Sequence, residues 1–330
     1  MRGALARLCA VQALLLAGLA ASAGWAQEPG KTLEKANAAL QAGEADQALD
    51  LLGSLPAGGA DAGEAEILEC RVRYRLEQWN AAVAACQRAV SLDPENSDDH
   101  MWLGRALGEK ASRASFMAAY TLGKQALQQF QAATRLDPRN AAALADLGEY
   151  YVDAPAVLGG GLDKAESVAE QLDRIDGAQA DELRAEIAEE RNDSGEAEEE
   201  LKKSVAASSH PSRQWAVLAR FYQQHRRWKE MDWAIQNCIA AAARDPHAGV
   251  ALYDGAGVLM RSNRDPALAA RMLEQYLAGN DRTDEGPAFV AYHRLAHLKR
   301  TLGDDAGAQQ DEATAYELAH EYAPAPSSNH

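Results

Sequence analysis

Ala89-Val-Ser-Leu-Asp-Pro94, Ala133-Thr-Arg-Leu-Asp-Pro138 and, more loosely, Ala241-Ala-Ala-Arg-Asp-Pro246 close three alanine-rich amphipathic runs with one phrase. That recurrence decides the fold. A pair of short helices cannot bury its own apolar face, so such units stack, each covering its neighbour, and the chain becomes an array. Proline after aspartate ends each run, because it lacks the N–H that continues the helical ladder and biases the residue before it away from helix. The chain of 330 residues is 47% hydrophobic and 25% charged, enough apolar material for one long core. Its richness in Ala, Leu, Glu and Gln favours helix throughout. The expected fold is all-α, an α-α superhelix (solenoid) of about eight helical hairpins.

Upstream of the Asp-Pro phrases a second pattern recurs. It is fullest in Trp215-x-x-Leu218-Ala219-x-x-Tyr222, and close in Leu144-x-x-Leu147-Gly148-x-x-Tyr151 and His100-x-x-Leu103-Gly104-x-x-Leu107. Ala126-x-x-x-Phe130-x-x-Ala133 with Pro138 supplies the half that belongs to a following helix. Together these resemble the tetratricopeptide repeat (TPR), with its period of about 34 residues. The physical sense is independent of the name. The small residues of each pair sit where the two helices cross most closely, and Leu, Phe and Tyr fill the space between hairpins.

The resemblance implies an array over residues 27–322, after a signal peptide at 1–26 and before a disordered tail at 323–330. The first hairpin, Lys31 to Leu55, uses Ala36 and Ala48 as its small pair, and the second, Glu64 to Asp93, uses Cys70 and Ala82. In the third, Gly104 and Ala126 stand about ten residues farther apart than the repeat requires, so either its helices lengthen or a loop intervenes. Phe116-Met-Ala-Ala-Tyr120 falls in that excess, read as packing that fills a lengthened hairpin, with an exposed partner-binding helix as the alternative. The fourth carries Gly159-Gly-Gly161 between its helices, which reads as a turn, with Asp163 capping the helix that follows. The glycines lack the spacing of a phosphate loop, and no strand precedes them.

The first segment reads as an export leader, with Arg2 and Arg7 before an apolar Ala10 to Ala21 and the small residues Gly24 and Ala26 near a cleavage point. Its apolar run is too short for a convincing membrane span, so none is expected in the mature chain. An exported bacterial protein, periplasmic or secreted, is the expectation. The formal net charge is −16, and losing two arginines with the leader makes it more negative. That sign argues against nucleic acid as partner, since phosphate binding needs a basic footprint. In an oxidising compartment Cys70 and Cys86, on the two helices of one hairpin, form a possible disulfide.

First helices of such arrays line a concave face. By that rule hairpin six turns Arg213, Ala216 and Arg220 inward with Gln223, while Gln224 sits at the rim. Arg105 and Glu149 take the matching places in hairpins three and four. Forked guanidinium bonds to a carboxylate or a peptide backbone make Arg213, Arg220, Gln223, Gln224 and Arg105 the candidate peptide-binding set. The other reading makes these arginines partners of the acidic fifth hairpin.

His293-x-x-x-His297 puts two imidazoles on one helical face, a weak metal candidate that needs a third ligand from Glu317, His320 or Glu321. Arg294 stands where a hydrolase motif would carry glutamate. No nucleophile with a local base is present, so no enzyme activity and no cofactor are expected. The functional expectation is a non-catalytic protein-protein interaction scaffold that binds a peptide or helix of a protein partner in a concave groove. The alternative is a metal-binding or enzymatic envelope protein using the His293/His297 pair.

Overall fold

A computed structural model describes residues 29–323 except 57, 60 and 247. The expected leader and all but Ala323 of the expected tail lie outside the described residues. Among the latter there are sixteen α-helices and no strand, arranged as eight consecutive antiparallel hairpins. These are α1 (Pro29–Ala42) with α2 (Ala45–Gly53), α3 (Ala62–Arg75) with α4 (Trp79–Leu92), and α5 (Ser97–Ser112) with α6 (Phe116–Leu136). There follow α7 (Ala141–Asp153) with α8 (Leu162–Leu172), α9 (Gly177–Glu190) with α10 (Ser194–Ala207), and α11 (Ser212–Gln224) with α12 (Trp228–Ala242). The last two are α13 (Ala251–Arg261) with α14 (Pro266–Ala278) and α15 (Ala288–Thr301) with α16 (Asp305–Leu318).

The Asp-Pro phrase does more than stop a helix. Asp93 and Asp137 each leave the helix in extended backbone, and their Oδ1 atoms accept from the N–H of Glu95 and Arg139, forming a tight turn. Two residues after each proline an asparagine begins the next helix. Asn96 accepts from the N–H groups of Asp98 and Asp99, and Asn140 from that of Ala143. Each phrase, with the asparagine two places beyond it, thus terminates one helix and nucleates the next. Aspartates do the capping elsewhere: Asp176, Asp193, Asp265 and Asp304 start α9, α10, α14 and α16.

Within each hairpin the crossing points are small and fully buried, as the sequence pattern requires. Ala36 packs with Ala48, Cys70 with Ala82, and Ala219 with Ala234. A side chain on Gly104 would run into the Phe130 ring, and one on Gly148 into Leu183. Between hairpins the larger side chains form two successive buried clusters, one with Trp102, Phe130 and Leu144 and one with Tyr222, Met231 and Leu273, and α9 contributes to both.

The array closes on itself. Leu33, Leu40 and Leu52 of the first hairpin share a buried cluster with Phe289 and Ala319 of the last. Phe289 is 1% exposed and Leu33 2%. Each full burial of that kind is worth about 1.5–3 kcal/mol. Tyr322 stacks edge-on against Phe289 with centroids 4.8 Å apart. Gly43 turns at φ 75°, and any side chain there would strike the backbone of Ala288. Polar contacts flank the seam. Asp46 Oδ2 accepts from the backbone N–H of His320 at 2.9 Å, and Arg73 Nη1 donates to Glu321 Oε2 at 2.9 Å. The expected curved trough is therefore one turn of superhelix whose ends meet, with the first helices facing inward.

Three local expectations are settled. The third hairpin absorbs its excess by lengthening both helices, to 16 and 21 residues. Phe116 and Met117, at the start of α6, do not fill a core, being 84% and 72% exposed. Asp163 does not cap α8. Gly161 does, at φ 154°, and Asp163 lies within the first turn, where its charge favours the helix N-terminus. No helix among the described residues is long and apolar enough to cross a membrane.

Candidate functional site

The ring encloses an interior cavity with two adjoining lobes of about 870 and 880 Å³, both bordered by Glu149, Glu182, Glu186, Arg213 and Glu285. The first helices supply most of its lining, joined by Ala119, Gly123 and Phe130 of α6. Charge in the cavity is largely sorted by helix, with Asp254 of α13 as an exception. Glu149 and Asp153 on α7 with Glu182 and Glu186 on α9 form an acidic wall. Arg220 on α11, Arg261 on α13 and Arg294 on α15 form a basic one.

The acidic wall is under electrostatic strain. Surrounding protein, and then the neighbouring Glu149 carboxylate, push Glu186 up to about 8. Burial raises Glu149 as well, helped by Asp146, and Glu182 is raised for the same first reason. Neither Glu149 nor Glu186 makes an ion pair or a side-chain hydrogen bond within the described residues. Glu149 still reaches cavity solvent, so its carboxylate is enclosed by protein without being sealed from water.

Elsewhere inside the ring, arginines are paired. Arg105 clamps Asp146 through Nε at 2.6 Å and Nη2 at 3.0 Å, and lies 4.8 Å above the Trp102 ring. Arg71 and Arg75 stack on that same indole, each 5.3 Å from its centroid, and both reach Asp284 of the segment before α15. Asp284 is 5% exposed, and its backbone N–H donates to Gln41 Oε1. These three arginines hold the ring together. Arg105 is thus no free ligand group, because its forked donors are spent on Asp146.

Of the remaining candidates, Arg213 and Arg220 line the cavity, Arg213 lying 3.9 Å from Glu285. Gln223 and Gln224 lie one turn past Arg220, at the end of α11, and touch neither lobe. Close by, Arg227 serves the acidic fifth hairpin by binding Glu198, which its guanidinium pulls down to about 2. The pairing with acidic neighbours and the inward basic face thus coexist on adjacent turns.

His293 and His297 border neither lobe; Arg294, between them, does. The two histidines share one helical face and Arg294 lies on the neighbouring one, so turning Arg294 inward rotates the pair away from the lobes. His320 and Glu321 are engaged with Asp46 and Arg73. Among the described residues no group of three or more His, Cys, Asp or Glu is arranged to hold a metal ion. Cys70 and Cys86 lie with Cα atoms 5.1 Å apart and their sulfurs at bonding distance, clamping α3 to α4. Cys238 is buried, and its thiol faces the carbonyl of Ala251 at 3.5 Å.

No family model matches the chain. The mouse protein Superkiller complex protein 3 is 30% identical to it over 128 residues, which is 38% of this chain, and the match spans 8% of the mouse protein's length. The crystal structure of TTC0263, a thermophilic TPR protein of Thermus thermophilus, superimposes on 59% of this chain and 98% of its own, with a TM-score of 0.50 and 21% identity. The eight stacked hairpins, with their small crossing residues and Asp-Pro turns, have the tetratricopeptide-type α-α superhelical fold.

Proposed function

We propose that this chain is a non-catalytic scaffold that holds a segment of a partner protein in its interior cavity. The observation that carries the reading is the pair of unpaired, oppositely charged walls. Among the described residues, Glu149 and Glu186 on one side and Arg220, Arg261 and Arg294 on the other have no ion-pair partner, while Arg71, Arg75 and Arg105 are paired. A partner that brought a cationic and an anionic group would relieve both walls at once. Stacked helical hairpins support the same reading, because extended concave surfaces of this architecture suit peptide and protein partners. The export leader read over 1–26 and the proximity of the Cys70 and Cys86 sulfurs favour an extracytoplasmic setting.

The test is affinity capture from an envelope extract with the wild type, a cavity variant (Glu149→Lys with Glu186→Lys) and an outer-surface control (Lys229→Glu). Partners lost from the cavity variant and retained by the control support the proposal. Identical partner sets for all three would overturn it. N-terminal sequencing of the exported protein tests the compartment, with a start at Gln27 expected.

A further inference from the structure

Gly257 on α13 leaves a notch in the basic wall. The point a Cβ would occupy there lies 3.2 Å from Arg261 Nη1 and 3.6 Å from Arg294 Nη1. The two guanidinium nitrogens are therefore at most about 7 Å apart, a distance at which like charges repel unless something intervenes. Arg220 adds to that field, and burial together with Arg294 and Arg220 pulls Arg261 below its usual value. Arg294 is steered into place by the Tyr253 ring, 4.3 Å from its guanidinium carbon.

The unpaired state of these groups is selective. Arg71, Arg75 and Arg105 all find carboxylates, and Arg213 stands beside Glu285, in a chain with 49 acidic residues to draw on. Asp254 shares the wall and feels Arg213, Arg220 and Arg294, yet makes no ion pair with any of them. Two guanidinium groups converging on a glycine notch, with Arg220 lining the same lobe, have the shape and charge of an oxyanion site.

We propose that the notch at Gly257, walled by Arg261 and Arg294 in the lobe that Arg220 also lines, binds a carboxylate carried by the partner segment. This rests on the cavity reading above and names the chemistry that one wall of it recognises. Carboxylate and phosphate both match a guanidinium fork, and a carboxylate suits the site better because its single charge suffers less from Asp254 and Glu285 than a doubly charged ion would.

The experiment uses the full mature chain and three probes at constant ionic strength: glutarate, inorganic phosphate, and acetyl-Ala-Ala-Ala with a free or an amidated C-terminus. Thermal midpoint and titration calorimetry are read for the wild type, Arg261→Gln and Arg294→Gln. Saturable binding of glutarate or of the free-acid peptide is expected, weakened about ten-fold or more in either variant. Without probe, both variants are expected to melt no lower than the wild type, since each relieves repulsion. A response to the free acid but not to the amide assigns a chain terminus, and a response to glutarate alone a side-chain carboxylate. Phosphate binding more tightly than either carboxylate, equal binding by wild type and variants, or no saturable binding would overturn the assignment. Capture of the partner by Arg261→Gln at wild-type strength, with loss in the Glu149→Lys/Glu186→Lys variant, would sink this site and leave the cavity reading standing.

Discussion

Asp284 Oδ2 lies 3.1 Å from Arg71 Nη2 across 213 positions of sequence, joining the segment before the last hairpin to the second hairpin. Arg75 approaches the same carboxylate at 3.5 Å, and the carboxylate is almost wholly buried. Two cations around one buried anion make a directional lock, because removing the anion leaves both guanidinium groups facing each other in a low-dielectric place. The seam is thus specified by charge as well as by apolar packing.

Asp284→Asn keeps the shape of the side chain and removes its charge. It is expected to cost about 2–4 kcal/mol, somewhat below the figure for a fully buried pair because Arg71 is partly solvated. Urea unfolding measures the loss, and small-angle scattering should show an expanded particle under native conditions. An unchanged midpoint and radius would mean that the apolar seam alone closes the ring.

Gly43→Ala probes the seam from the other side. The residue sits at positive φ and abuts the Ala288 backbone, so a methyl group there is both strained and obstructed. A destabilisation of about 1–3 kcal/mol is expected, with the first hairpin becoming the fastest to exchange its amide hydrogens. Wild-type protection in α1 and α2 would contradict the described contact.

Glu186→Gln should change stability in a pH-dependent way. The folded carboxyl titrates near 8 against 4.5 unfolded, so between those values the folded state holds the proton more tightly. Stability from this group is therefore full below about pH 4.5 and lost as pH rises through 8. The neutral variant should match the wild type at pH 4.5 and exceed it at pH 8.5 by about 1 kcal/mol, a figure discounted because cavity water screens the group. A constant difference across that range would remove the Glu149 repulsion from the account.

The Cys70 and Cys86 pair closes a loop with a sequence separation of 16. A bond there is expected to contribute about 3 kcal/mol, mostly by restricting the unfolded chain. Mass spectrometry of unreduced exported protein should find both thiols oxidised, with reduction lowering the melting midpoint. Two free thiols would dispose of the bond.

Much of the fold was legible because helix stops, caps and crossing points are local. Asp93-Pro94 ends α4 and Asn96 starts α5 within four residues, and Ala36 with Ala48 marks a crossing wherever the chain goes next. Ring closure was not legible, since Phe289 looks like any core aromatic and nothing in its neighbourhood names Leu33. The cavity was half legible. A fixed offset from the small residue of each first helix found Arg220, one place after Ala219, and Glu149, one place after Gly148. Arg261 lies four places after Gly257 and Arg294 two before Ala296, because long side chains reach one inner space from several helical positions. The same flexibility led Arg105 to Asp146 instead of to a ligand.

A solenoid with free ends can gain or lose a unit and remain a solenoid. Here Phe289 needs Leu33 to cover it, and Arg71 needs Asp284, so the number of hairpins is set by the circumference. Duplicating or deleting one hairpin, the ordinary route by which such proteins change length, would leave both partners stranded on opposite lips of a gap.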